Sequence, residues 1–123
     1  MPPLPVISCL LALSGPLSVR AISLDYSTYL GGANVDSGLS VAVEGSRATV
    51  VGSTYSPDFP TRSPYQASLT TGAWDVFVAA FSSSGSSLIY STFLGGAAND
   101  NAYAVSLEDS EAVVAGFTYS SDF

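Results

Sequence analysis

An all-β fold built from small four-stranded antiparallel meanders is predicted by three observations. The first is a repeat. Tyr26-Ser27-Thr28-Tyr29-Leu30-Gly31-Gly32 returns 64 residues later as Tyr90-Ser91-Thr92-Phe93-Leu94-Gly95-Gly96. That offset holds without a gap over 36 aligned positions, from Leu24/Leu88 to Phe59/Phe123, and 20 of the pairs are identical. The second is composition: β-branched and aromatic residues with frequent Gly and Ser are what short paired strands and tight turns require. The third is period-two alternation between turn signals. One repeat then contains four short strands, two tight turns and two looser connections. Such meanders, stacked radially, form the blades of a β-propeller. A β-solenoid is the alternative, but its coils are much shorter than a 64-residue period.

Residues 1–21 do not match the repeat. Val6 to Leu13 is an apolar run, followed by small residues and Arg20, which fits the apolar segment and cleavage boundary of a secretory signal peptide. The start carries no Lys or Arg, so a mis-assigned start or a linker from upstream sequence stands beside that reading. Cys9 is the single cysteine, so no disulfide can form within the chain. The apolar run before Cys9 is too short for a lipoprotein cleavage box. No segment reaches the roughly 18 apolar residues of a transmembrane helix.

Residues 22–30 read as a strand ended by Gly31-Gly32. Leu39, Val41 and Val43 alternate with Ser40 and Ala42, and the second copy has Tyr103, Val105 and Leu107 against Ala104 and Ser106. Large residues on one face and small ones on the other predict a strand between two packed surfaces. Residues 44–47 form a hairpin turn, matched by 108–111. Strands follow over 48–53 and 112–117. Gly52 and Gly116 hold the same place in both, where a missing β-carbon permits a bulge or a close backbone approach. Residues 55–73 are a long connection with Pro57, Pro60 and Pro64; loops of this length pack their own side chains or carry a function. Val76 to Phe81 is apolar on both faces and reads as a buried central strand. A second hairpin over 82–87 leads into the last strand, 88–94.

The organisation expected is a non-propeller segment over 1–21, the last strand of a preceding blade over 22–32, one complete blade over 33–96, and the first half of the next over 97–123. That is an incomplete propeller of about one and a half to two blades, and it points to a fragment. Propellers close with four to eight blades. The remaining blades are expected from a longer chain or from oligomerisation.

Composition also bounds function. Hydrophobic residues make up 47% and charged residues 11%, ample for a core and unlike a disordered chain. The net charge is −7 with only three arginines, no Lys and no His. Phosphate neutralisation needs clustered cations, so nucleic acid is not an expected partner. Without His, no Ser-His-acid triad can be built from this chain.

Leu88-Ile89-Tyr90-Ser91-Thr92-Phe93-Leu94-Gly95-Gly96, followed by Asn99-Asp100, resembles the signature of the bacterial SBBP repeat. Gly52-Ser53-Thr54-Tyr55-Ser56-Pro57-Asp58-Phe59-Pro60 and Asp75-Val76-Phe77-Val78-Ala79 look like further blocks of the same family. The resemblance spans 24–123. It implies a seven-bladed β-propeller and a secreted or cell-surface bacterial protein. It implies no particular activity. Trp74-Asp75 resembles the dipeptide of WD repeats but opens a strand here rather than closing one.

Alternating turns place both hairpins at one end of the blade and the 31–38 and 55–73 connections at the other. The loop-rich end is the expected binding face. Three constellations lie there. Asn34, Asp36 and Asp58, with Asn99, Asp100 and Asp122, are oxygen-bearing candidates for Ca²⁺, but Asn, Asp and Gly are also ordinary turn residues and the spacing fits no calcium loop. Tyr55, Phe59, Tyr65 and Trp74 are aromatic candidates for stacking on sugars, or pins that hold a long loop to its blade. Two-carboxylate glycoside chemistry is formally open, although nothing places a pair at the needed separation. The function expected is a noncatalytic structural or interaction module of an exported protein, with a protein or glycan partner and no required cofactor. The alternative is a fragment of a carbohydrate-active or metal-dependent propeller enzyme whose catalytic residues lie in other blades.

Overall fold

The computed structural model describes residues 22–70 and 72–123; the leader-like segment 1–21, with Cys9, lies outside them. Six strands form in order: β1 (Asp36–Glu44), β2 (Arg47–Thr54), β3 (Asp75–Phe81), β4 (Leu88–Leu94), β5 (Asp100–Glu108) and β6 (Glu111–Thr118). There is no helix among the described residues. β1 to β4 make one antiparallel sheet in sequence order, and β5 and β6 make a second antiparallel pair. This is the all-β meander organisation of propeller blades: one four-stranded unit, followed by two strands that repeat its first half.

The sheets stack face to face, with β5 lying across β1 and β2. Alternation along β2 and β3 sends residues to two separate cores. Val50, Phe77, Ala79 and Phe81 join Leu30, Phe59 and Phe93 on one face of the four-stranded sheet. Val51, Val76 and Val78 point the other way and meet Ala102, Val105 and Val114 of the second pair. β3 is buried along its whole length, as its doubly apolar sequence requires. Phe77 and Phe93 are fully buried, and each such side chain contributes about 1.5–3 kcal/mol over exposure.

The turns follow their residues. Gly45 takes φ +61° between β1 and β2. At the matching place Asp109 and Ser110 have φ +50° and +68°, the paired left-handed residues of a type I′ turn. The β3–β4 hairpin closes through Ser82 N–H donating to the Ser87 carbonyl at 2.9 Å. The two β1–β2-type hairpins also touch: Ser110 Oγ donates to Glu44 Oε2 at 2.6 Å. This bond, with the Ser110 N–H donating to Glu44 Oε1 at 3.3 Å, holds the Glu44 carboxyl below its ordinary value of 4.5.

Two expectations change. Residues 22–30 form no strand. In repeat register they match β4, whose ladder partner is β3; among the described residues no β3-like strand lies before them to pair with. The segment instead lays side chains on the first core face, where Leu30 is buried and the Tyr26 ring covers Gly85. Secondly, β1 and β5 begin three residues before Leu39 and Tyr103, at Asp36 and Asp100. A bulge in each strand breaks the alternation and hides the first ladder positions. The large side chains of β1 are also more open than expected: Val41 is 46% exposed. Val105, its counterpart, is half-buried, because a neighbouring sheet covers that face.

Candidate functional site

The end of the blade opposite the hairpins is built from side chains that repeat. Asp36, the first residue of β1, is buried. Its Oδ2 accepts from the Gly32 N–H at 2.8 Å and from Ser56 Oγ at 3.1 Å, and its Oδ1 accepts from the Thr54 hydroxyl. Ser56 Oγ also accepts from the Asn34 N–H at 2.9 Å, and Asp58 Oδ1 from the Ala33 N–H at 2.9 Å. The Gly31–Val35 turn is thereby stapled to the end of β2. The second copy repeats the staple: Gly96 N–H to Asp100 Oδ2 at 2.9 Å, Ala97 N–H to Asp122 Oδ1 at 2.8 Å, and Ala98 N–H to Ser120 Oγ at 2.9 Å.

These bonds locate the six calcium candidates. Asp36, Asp58, Asp100 and Asp122 direct oxygens at N–H and O–H donors, which a cation would have to displace. Asn34 donates its side-chain amide to the Tyr55 carbonyl at 3.2 Å, and Asn99 Oδ1 accepts from the Trp74 N–H at 3.0 Å. Among the described residues no group of three acidic side chains converges as a metal shell would need.

The long connection after β2 is a strap rather than an open loop. Arg62 and Ser91 exchange two backbone hydrogen bonds, and Phe93 N–H donates to the Gln66 carbonyl at 3.2 Å. The strap thus runs along the free edge of β4. Phe59 is 3% exposed and packs on Phe77 with ring centroids 4.5 Å apart, so it belongs to the core and not to a binding face. Tyr65 projects from the strap and is 90% exposed. Tyr55 and Trp74 pack against each other where the strap begins and ends, with ring centroids 5.7 Å apart and planes tilted by 51°.

Gln66 carries the strap to a buried acid. Its Nε2 donates to Asp75 Oδ2 at 3.0 Å, and its Oε1 accepts from the Gly95 N–H at 3.0 Å. A β-carbon at Gly95 would stand 2.6 Å from Asp75 Oδ1 and 2.9 Å from Asp100 Oδ2, so both carboxylates crowd the same glycine. Both residues are fully buried, and the Oδ1 of each has no hydrogen-bond partner among the described residues. Burial pushes the Asp75 carboxyl up, the Thr70 N–H opposes this, and the Asp100 charge adds to it.

Two bulges shape the space beside this junction. Gly38 pairs with Gly52 and Ser40 with Val51, leaving Leu39 as the extra residue. In the second copy Ala102 pairs with Gly116 and Ala104 with Ala115, leaving Tyr103. A β-carbon on Gly52 would overlap the Ser37 carbonyl, and one on Gly116 the Asn101 carbonyl. The glycines therefore permit the bulges, and the bulges re-aim Leu39 and Tyr103. Both side chains line a cleft of about 460 Å³ between the two units at the loop-rich end.

Trp74, Tyr103, Phe117 and Tyr119 supply the cleft's aromatic surface. The last three form a row, with centroids 5.4 Å apart from Tyr103 to Phe117 and 5.1 Å from Phe117 to Tyr119. Ser37, Asn99 and Asn101 add polar groups, and no charged side chain lines the space. Of the aromatic candidates read from sequence, only Trp74 reaches it. The others were missed because their signal is a difference between copies: Leu39/Tyr103, Ser53/Phe117 and Ser37/Asn101 are unlike pairs, whereas the side chains that accept in the staples, Asp36/Asp100, Ser56/Ser120 and Asp58/Asp122, are identical. Comparison with known proteins found no matching family model, no similar curated protein and no similar solved structure.

Proposed function

We propose that this chain is a noncatalytic binding module of an exported bacterial protein, with its ligand seat in the cleft between the two units. The observation that carries the reading is that cleft: aromatic and amide-bearing side chains converge on an open, uncharged space, on a scaffold held by repeated staples. Most of the lining side chains stand on strands, with Trp74, Asn99 and Tyr119 on the flanking connections, so the seat is a concave surface carried by a rigid scaffold. The leader-like apolar run and the likeness to secreted repeat proteins support a place outside the cell or on its surface.

The enzyme alternative has less to rest on. Asp75 and Asp100 are neighbouring carboxylates, but both are fully buried and neither can touch a substrate from its present position. A fragment library screened by amide chemical-shift mapping on the whole chain tests the reading. Shifts should cluster at Ser37, Asn101, Tyr103 and Phe117. Shifts scattered over the surface, or none, would overturn it.

A further inference from the structure

We infer that the cleft takes an uncharged saccharide, read by the Tyr103–Phe117–Tyr119 row and by the amides of Asn99 and Asn101. The inference rests on the reading of the cleft as a ligand seat and names what fills it. Tyr103 and Tyr119 are 60% and 73% exposed, so ring faces are open beside Phe117. A sugar ring presents an apolar face of C–H groups and an equatorial fringe of hydroxyls. Aromatic rings meet the first at small cost in conformational freedom, having few rotatable bonds.

The polar groups fit the second. Asn99 Oδ1 is engaged by the Trp74 N–H, and Asn101 Oδ1 accepts from Ser53 Oγ at 2.7 Å. Each carboxamide is therefore oriented by its oxygen, and neither NH₂ group has a protein partner among the described residues. The cleft offers fixed donors, which hydroxyl and ring oxygens accept. Ser37 adds a hydroxyl that can donate or accept. With no charged lining and a net charge of −7, anionic polymers are disfavoured. A proline-rich peptide would also use an aromatic groove and its carbonyls would meet the same donors, but it has no N–H to donate to Ser37 Oγ, whereas a sugar hydroxyl both accepts and donates.

The repeat itself points to recognition. Residues that hold the turns are the same in both copies, at 32/96, 33/97, 36/100, 54/118, 56/120 and 58/122. At the cleft, 35/99, 37/101, 39/103 and 53/117 all differ, and only Tyr55/Tyr119 match. The second copy holds the larger or amide-bearing residue at each of the four. The scaffold is kept while the lining changes, as a ligand-reading surface requires.

Trp74 is the only tryptophan, so its fluorescence reports on the cleft directly. The whole chain should be titrated with cellohexaose, xylohexaose, chitohexaose, laminarihexaose and decaproline. At least one saccharide should shift Trp74 emission saturably in the millimolar range or below. Phe117→Ala should weaken that response about tenfold, whereas Tyr65→Ala, outside the cleft, should leave it unchanged. If Phe117→Ala lowers the melting temperature, Tyr103→Ala carries the comparison. Silence from every saccharide, or a response from decaproline alone, overturns the inference. Fragment binding in the cleft without saccharide binding would do so while leaving the binding-module reading intact; absence of both would remove the two together.

Discussion

Leu39 and Tyr103 are the extra residues of two bulges one repeat apart, and each stands next to a ladder position held by glycine. The glycine is what makes the bulge possible, because the carbonyl of Ser37 or of Asn101 occupies the place of its β-carbon. The repeat thus fixes where a side chain is re-aimed and leaves free which side chain it is.

Gly52→Ala should therefore destabilise the fold by about 3 kcal/mol, since the added methyl meets backbone rather than a side chain that can move. Urea midpoints of wild type and variant give the value. A loss below about 0.5 kcal/mol would mean that the bulge relaxes freely.

Removing one member of a staple should cost about 1–3 kcal/mol. Ser56→Ala is the cleanest case: its hydroxyl is buried, accepts from Asn34 N–H and donates to Asp36. EDTA should leave the melting temperature of the wild type unchanged, because the Asp36 oxygens already accept from protein donors. A fall in melting temperature with EDTA, restored by Ca²⁺, would contradict the staple reading.

Phe59 and Tyr65 sit six residues apart in one connection and should behave oppositely. Phe59→Ala should cost about 3–5 kcal/mol, because the ring fills the core against Phe77 and Phe93. Tyr65→Ala should stay within about 0.5 kcal/mol. Thermal melts monitored by circular dichroism separate them.

Two carboxyl groups should give the stability–pH profile opposing slopes. Glu44 is held below 4.5 by Ser110, so its contribution is present above that value and is lost as pH falls through its folded pKa. Asp75 is raised above 3.8, so its contribution is present below that value and is lost as pH rises through its folded pKa. Glu44→Gln should remove the first slope and Asp75→Asn the second. Melting temperatures across about pH 3 to pH 7 read both.

The strands were legible because alternation and turn residues are local properties. Val76–Phe81 could be read as central from its two apolar faces alone. The bulges were less legible, since inserting one residue shifts the phase of alternation and disguises the start of β1 and β5. Residues 22–30 carry a strand's pattern and yet form none, because a strand needs a neighbour that local sequence does not supply. The staples were visible as Asp, Ser and Asn of turns, but which N–H each oxygen takes depends on contacts more than 20 residues apart. The cleft was hidden for another reason. Tyr103 and Phe117 read as ordinary strand aromatics, and it takes the bulge at Tyr103 and the stacking of the two units to bring them to the same cleft as Trp74.

The strap along β4 has a kinetic consequence. The chain has three arginines and no lysine, so trypsin has few places to cut, and Arg62 lies in the strap with its N–H and carbonyl both bonded to Ser91. A protease needs that backbone extended and released. Cleavage after Arg62 is then a clock for strap detachment, and at low enzyme concentration its rate reports the population of the detached form. The β4 edge is open only as often as that clock ticks.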